Sequence, residues 1–121
     1  MVKALIDTNI LIDYLNAAPE ARSELDRYAA RAISIVTWME VMVGAKPGVE
    51  TATRAFLSGF DLVPLDEAVA DCAVELRRAH RIKLPDAVVW ASARVHAMLF
   101  VTRNTKDFPI GDPGVRHPYA L

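Results

Sequence analysis

A single cysteine, Cys72, is all the chain contains, so no internal disulfide can form and a reducing compartment suits it. Long hydrophobic runs are missing too. Even Ala87 to Ala93 is broken by Ser92 and followed by Arg94, far short of the roughly 20 apolar residues a membrane-spanning helix needs. No basic stretch, apolar segment and small-residue cleavage site open the chain, so the expectation is a cytoplasmic protein without membrane attachment. Glycine is sparse. Gly44, Gly48, Gly59, Gly111 and Gly114 fit no P-loop or dinucleotide-binding pattern. Ser23, Ser34, Ser58 and Ser92 lack the glycines of a strained nucleophile turn. His80, His96 and His117 show no metal-ligand spacing, which leaves zinc poorly served. Positive charge is not in excess either: the formal net charge is −1, so bulk electrostatics do not make this a basic nucleic-acid binder. A cluster of acids would nevertheless mask basic residues elsewhere in that sum.

What is present is a well-mixed chain of 121 residues, 24% of them charged, the size of one domain spanning 1–121. Val2 to Ile6 reads as a short buried strand ended by the helix-start cluster Asp7-Thr8-Asn9. Ile10, Leu11, Tyr14 and Leu15 recur at helical spacing, and Pro19 suits the first turn of a second helix. Ala32 to Val36 is the next strand, with Thr37 capping a helix that runs to Gly44. A helix over Glu50 to Leu57, a strand over Asp61 to Leu65 and a long helix capped by Asp66 follow. Pro85 and Asp86 open a helix from Ala87 to His96, before a strand from Met98 to Val101 and an edge strand near Val115. Strands alternating with helices predict an α/β domain with a mainly parallel sheet, whose ligands bind beyond the carboxyl ends of the strands.

Four acids stand at the borders of, or within, these apolar segments: Asp7, Glu40, Asp86 and Asp107. Each has a structural explanation of its own. Asp7 can cap a helix, Asp86 can favour a helix dipole beside Pro85, and Asp107 can close a turn. Glu40 is harder to explain this way: Trp38, Met39, Val41, Met42 and Val43 leave little of its helix to face water, so it stands at an exposed helix edge or is held by a positive partner. Asn104 can also be a turn residue, yet its amide oxygen is a serviceable hard ligand. Two carboxylates ~4 Å apart repel by ~4 kcal/mol at an effective dielectric near ~20. A shared divalent cation removes that penalty, and all-oxygen ligation favours Mg²⁺, or Mn²⁺, with a phosphodiester as substrate. Arg103 and Lys106, beside Asn104 and Asp107, are candidates for holding an RNA backbone. The basic run Arg77, Arg78, His80, Arg81 and Lys83 is also explained by the end of a helix dipole.

The order of these segments resembles that of PIN-domain ribonucleases. Leu5-Ile6-Asp7-Thr8-Asn9-Ile10-Leu11-Ile12-Asp13 resembles their opening motif, and Ser34-Ile35-Val36-Thr37-Trp38-Met39-Glu40-Val41 their second. Leu84-Pro85-Asp86-Ala87 resembles the third, and Val101-Thr102-Arg103-Asn104-Thr105-Lys106-Asp107-Phe108 the fourth. Length and the closing Pro118-Tyr119 look most like VapC toxins of bacterial toxin–antitoxin pairs. The resemblance implies a PIN-like fold and a Mg²⁺-dependent endoribonuclease that cleaves structured RNA (tRNA or ribosomal RNA). Asp7, Glu40 and Asp86 would hold the metal, and Asp107 or Asn104 would complete the site. Thr8 and Thr102 would be hydroxyls that orient carboxylates. It also implies a homodimer and a small antitoxin protein whose peptide blocks the acidic groove. Two other hydrolase and signalling patterns fit less well. A haloacid-dehalogenase-type site needs a second acid two residues after the first, where Asn9 stands, and a receiver domain needs an acidic pair in its first strand. The stronger alternative is a PIN-like module that binds RNA or protein without cleaving, since Asn104 is not acidic.

Overall fold

In the computed structural model, which describes residues 2–121, the first apolar run becomes β1 (Lys3–Ile6), the central strand of a five-stranded parallel sheet. Helices α1 (Thr8–Leu15) and α2 (Pro19–Asp26) lead to β2 (Ala30–Ser34), then α3 (Ile35–Val43) and α4 (Glu50–Leu57) lead to β3 (Asp61–Val63). The chain next forms α5 (Glu67–His80) and α6 (Leu84–Val95), and finishes with β4 (Leu99–Val101) and β5 (Val115–Arg116). The α/β class and the parallel sheet predicted by the alternating pattern are both present.

Strand order is β3-β2-β1-β4-β5, so the chain first builds outward to one side of β1 and then to the other. Register places Leu5 beside Ala32 and beside Phe100. Successive side chains of a strand point to opposite faces, and the core divides accordingly. Leu5, Ala32 and Phe100 pack with α5 and α6 through Val69, Leu76, Val88 and Trp90. Ala4, Ile6, Ile33 and Val101 pack on the other side with Ile10, Leu11, Leu25, Val41 and Leu57. A sheet covered on both faces explains why its strands read as apolar runs without clean alternation. No helix among the described residues is long and apolar enough to cross a membrane.

Several borders differ from the sequence expectation, among them that of α6, which starts at Leu84 and not at Ala87. β2 is Ala30–Ser34 and not 32–36, because the Ser34 hydroxyl accepts from the Val36 amide at 3.1 Å and starts α3 there. Thr37, expected as the cap, is fully buried with its hydroxyl 3.0 Å from that of Thr8. β3 stops at Val63, before Pro64, which has no amide proton for a ladder. Of the two settings expected for Glu40, an exposed helix edge or a positive partner, the structure gives the first. α3 leaves Met39 and Val43 exposed, and Glu40 is exposed with them. The helix packs only one side onto the sheet, so an apolar composition all round did not mean burial all round.

Candidate active site

The reversal of strand order falls between β1 and β4, which is where open α/β sheets leave a crevice at their carboxyl ends. Asp7 follows β1 and Thr102 follows β4, and the Asp7 amide bonds the Val101 carbonyl at 2.9 Å across the gap. The Asp7 carboxylate is almost fully enclosed. One oxygen accepts from the Thr8 amide at 2.8 Å, so the residue does cap α1. The other accepts from the Thr102 hydroxyl at 2.7 Å and from Asn9 Nδ2 at 3.2 Å. The capping role and the crevice position therefore belong to the same side chain.

An open hollow of about 310 Å³ at this point is lined by Asp7, Thr8, Asn9, Ile12, Asp13, Glu40, Asp86, Arg103 and Asn104. Its carboxylates come from the end of β1 (Asp7), from α1 (Asp13), from α3 (Glu40) and from the first turn of α6 (Asp86). Glu40 is aimed by Thr8, whose hydroxyl donates to Oε1 at 2.7 Å. Asp86 stands in the first turn of α6, which also bears proline at its start. Burial pushes the Asp7 pKa up to about 6, against the pull of the Thr102 and Thr8 hydrogen bonds and with added repulsion from Asp86 and Glu40. Asp86 is likewise raised by burial and then by the charges of Asp107 and Glu40, with Lys83 opposing. These acids feel one another, and among the described residues no lysine or arginine forms an ion pair with Asp7, Glu40 or Asp86.

The loop after β4 assigns different tasks to its polar residues. The Asn104 amide oxygen accepts from the backbone amides of Lys106 and Asp107, both at 3.0 Å, and its Nδ2 donates to Asp107 Oδ2 at 2.9 Å. Both lone pairs of that oxygen are engaged, so Asn104 builds the turn and orients Asp107. Asp107 does not line the hollow, although its charge reaches Asp86. Lys106 is exposed and its side chain is absent from the wall of the hollow. Arg103 is on that wall, but its fork is turned onto Asp13: Nε lies 2.8 Å from Oδ2 and Nη2 lies 3.0 Å from Oδ1. Tyr119 donates to the same Oδ2 at 2.8 Å. Asp13 and Tyr119 were given no task by the sequence reading, and neither was Asn9, which bonds Asp7, Thr102 and the Arg103 amide.

The donor set can be tested against a divalent cation. Among the described residues, no three acidic, histidine or cysteine side chains converge closely enough to form a ready-made metal cage. The carboxylates of Asp7, Glu40 and Asp86 instead line one open hollow. Such an arrangement suits Mg²⁺, which keeps several waters and uses one or two carboxylates together with substrate phosphate oxygens. It suits zinc poorly, because zinc sites draw on histidine or cysteine and neither lines the hollow.

Comparison with known proteins is consistent with this picture. The PIN domain family matches residues 4–109, and the chain belongs to that family. It is 30% identical over 127 residues to Ribonuclease VapC10 of Mycobacterium tuberculosis, covering 97% of this chain and 93% of that protein. It is 32% identical over 121 residues to the tRNA(fMet)-specific endonuclease VapC of Shigella flexneri, covering 89% and 91% respectively. A chain of a toxin–antitoxin complex from Klebsiella pneumoniae superimposes with a TM-score of 0.94 at 46% identity, over 98% of this chain and 100% of that one.

Proposed function

We propose that the protein is a Mg²⁺-dependent endoribonuclease acting on structured RNA, the toxin of a toxin–antitoxin pair. The observation that carries this reading is the convergence of Asp7, Glu40 and Asp86, from three separate elements, on one open hollow at the β1–β4 crevice. The likeness to proteins named ribonuclease, endonuclease and toxin–antitoxin complex supports it. A divalent cation bound there supplies charge neutralisation and Lewis acidity at the scissile phosphate. Asp7, Glu40 and Asp86 would hold it, with Asp107 as the fourth acid and Asn104 as the residue that orients Asp107. Mn²⁺ would serve in the same place.

The chain's own groups do the remaining work. Thr102 and Asn9 fix one oxygen of Asp7, and Thr8 fixes one oxygen of Glu40, so neither carboxylate must reorganise when substrate arrives. The second oxygen of Glu40 is the acceptor for the proton of an attacking water. Attack on phosphorus with departure of the 3′ oxygen leaves a 5′-phosphate. The partner in this reading is a small antitoxin whose peptide lies in the acidic hollow. An arginine of that peptide would pair with the carboxylates and exclude the metal. The active form is a homodimer and works in the cytoplasm, where its RNA is.

The test is cleavage of bulk bacterial RNA by purified protein in Mg²⁺, in Mn²⁺ and in EDTA, beside Asp7→Asn. Discrete fragments that require metal and vanish in the mutant are expected. Equal cleavage by Asp7→Asn, or cleavage undiminished by EDTA, would remove the metal-site assignment. No cleavage by folded protein together with retained RNA binding would favour the non-catalytic module, in which Asn104 serves the loop alone.

A further inference from the structure

The molecule contains two clamps of the same design. In one, Arg103 Nε and Nη2 grip Asp13 and the Tyr119 hydroxyl bonds the same carboxylate. In the other, Arg116 Nε and Nη2 grip Glu24 at 2.7 and 3.0 Å and the Tyr28 hydroxyl bonds Oε2 at 2.7 Å. Both carboxylates are buried, and both arginine side chains are about one-third exposed. The clamps differ in address. Arg103 and Asp13 line the acidic hollow with Asp7, Glu40 and Asp86, whereas Arg116 and Glu24 do not.

Resting on the nuclease reading above, we propose that Asp13 and Tyr119 are positioning residues that present the outer edge of the Arg103 guanidinium to an RNA phosphate at the hollow. Nε and one side of Nη2 are committed to Asp13. Nη1 has no bonded acceptor among the described residues, so one edge of a planar donor remains available. A planar fork matches phosphate oxygens better than a point charge does. The Arg103 amide is pinned to Asn9 Oδ1 at 3.2 Å, which fixes the start of the side chain as well as its end.

Asp13 also solves a problem that the hollow creates. A long cationic side chain beside Asp7, Glu40 and Asp86 would be drawn onto them and would compete with a metal. A bidentate partner at 2.8 and 3.0 Å holds the guanidinium back while keeping it on the wall. Tyr119 stops the Asp13 carboxylate from rotating, and burial together with Asp13 raises its phenol pKa, so its proton stays in place as a donor. The Glu24 clamp provides the internal control, having the same chemistry without the address.

The experiment uses the full chain with bulk bacterial tRNA as probe. Arg103→Lys keeps the charge but loses the fork, and KM for tRNA should rise roughly tenfold with kcat within about twofold of wild type. Tyr119→Phe should raise KM about threefold, while Tyr28→Phe should leave both constants unchanged. Unaltered KM in Arg103→Lys and Tyr119→Phe, or a loss confined to kcat, overturns the proposal. So does an equal rise in KM for Tyr28→Phe, which would mark both clamps as merely structural. Binding of the same tRNA is measured in the Asp7→Asn background, where cleavage plays no part. If the wild-type protein cleaves nothing in any metal, the nuclease reading fails and this binding arm still decides. Tenfold weaker binding on adding Arg103→Lys upholds the phosphate contact, and equal binding ends it.

Discussion

Asp7, Asp13 and Glu24 are equally buried, at 7%, 6% and 4% exposure, yet they live in opposite electrostatic settings. Asp13 and Glu24 each have an arginine fork and a tyrosine hydroxyl. Burial alone would raise Glu24, but the hydrogen bonds from Arg116 and Tyr28 and the charge of Arg116 outweigh it, and its pKa falls below the usual range. Asp7 has only neutral donors and two neighbouring acids, and its pKa climbs to about 6. The same degree of enclosure therefore goes with pKa values of Asp7 and Glu24 shifted in opposite directions. What decides is whether the chain supplies the counter-charge or leaves it to something from outside.

The sharpest way to break this comparison is to remove the charge from each set in turn. On the proposed reading Asp7 holds the metal together with Glu40 and Asp86, so Asp7→Asn should lower RNA cleavage at least ~1,000-fold. In metal-free protein the same change should not destabilise at pH 7. A folded-state pKa raised from 3.8 to about 6 means that the protonated form is favoured by folding, so its stabilising effect is full below pH 4 and is lost as pH rises through 6. The upper limit of that loss is ~3 kcal/mol. Metal-free wild type should thus melt at lower temperature at pH 7 than at pH 5, by an amount that Asp7→Asn reduces. A parallel pH dependence in both proteins would contradict the Asp7 account.

Asp13→Asn should do the reverse, leaving Arg103 without its charge partner and costing ~1–3 kcal/mol, less than a fully buried pair because the Arg103 side chain is one-third exposed. Thermal melting at pH 7 reads this directly, and a mutant as stable as wild type would show that the clamp contributes nothing. Mg²⁺ should raise the melting temperature of wild type but much less that of Asp7→Asn or Asp86→Asn, because binding to the folded state alone stabilises it. Equal shifts in all three would place the ion elsewhere. The smallest effect concerns the loop after β4: Asp107→Asn should weaken Mg²⁺ activation several-fold more than Asn104→Asp does, and the opposite order would make position 104 the ligand.

Much of the fold was legible because its signals are local. Apolar runs ended by Asp7 and Thr102 marked β1 and β4, the cap Asp66 marked the start of α5, and Pro85 in the first turn marked that of α6. Where two residues competed for one duty, sequence alone did not choose. Ser34 took the cap expected of Thr37 because its hydroxyl reaches Val36, and the strand border moved with it. Among site residues, the acids announced themselves by standing where apolar segments meet. The clamps did not, although Asp13 lies three residues after Ile10 and Glu24 three after Ala21, on helix faces that should be apolar. An acid on the inward side of a short helix was the available signal. What it lacked was the identity of its arginine, which lies about 90 residues away in both cases.

That separation has a consequence for when the protein becomes capable of anything at all. Asp7 meets Thr102 across 95 residues, Asp13 meets Arg103 across 90 and Tyr119 across 106. Closing such loops costs entropy before any contact repays it, and pairings of this kind form late. A chain that stops short of β4 lacks Thr102, Arg103 and Asn104, and with them the bond that holds Asp7 and one wall of the hollow. The crevice is a property of the whole fold and not of any piece that ends before β4.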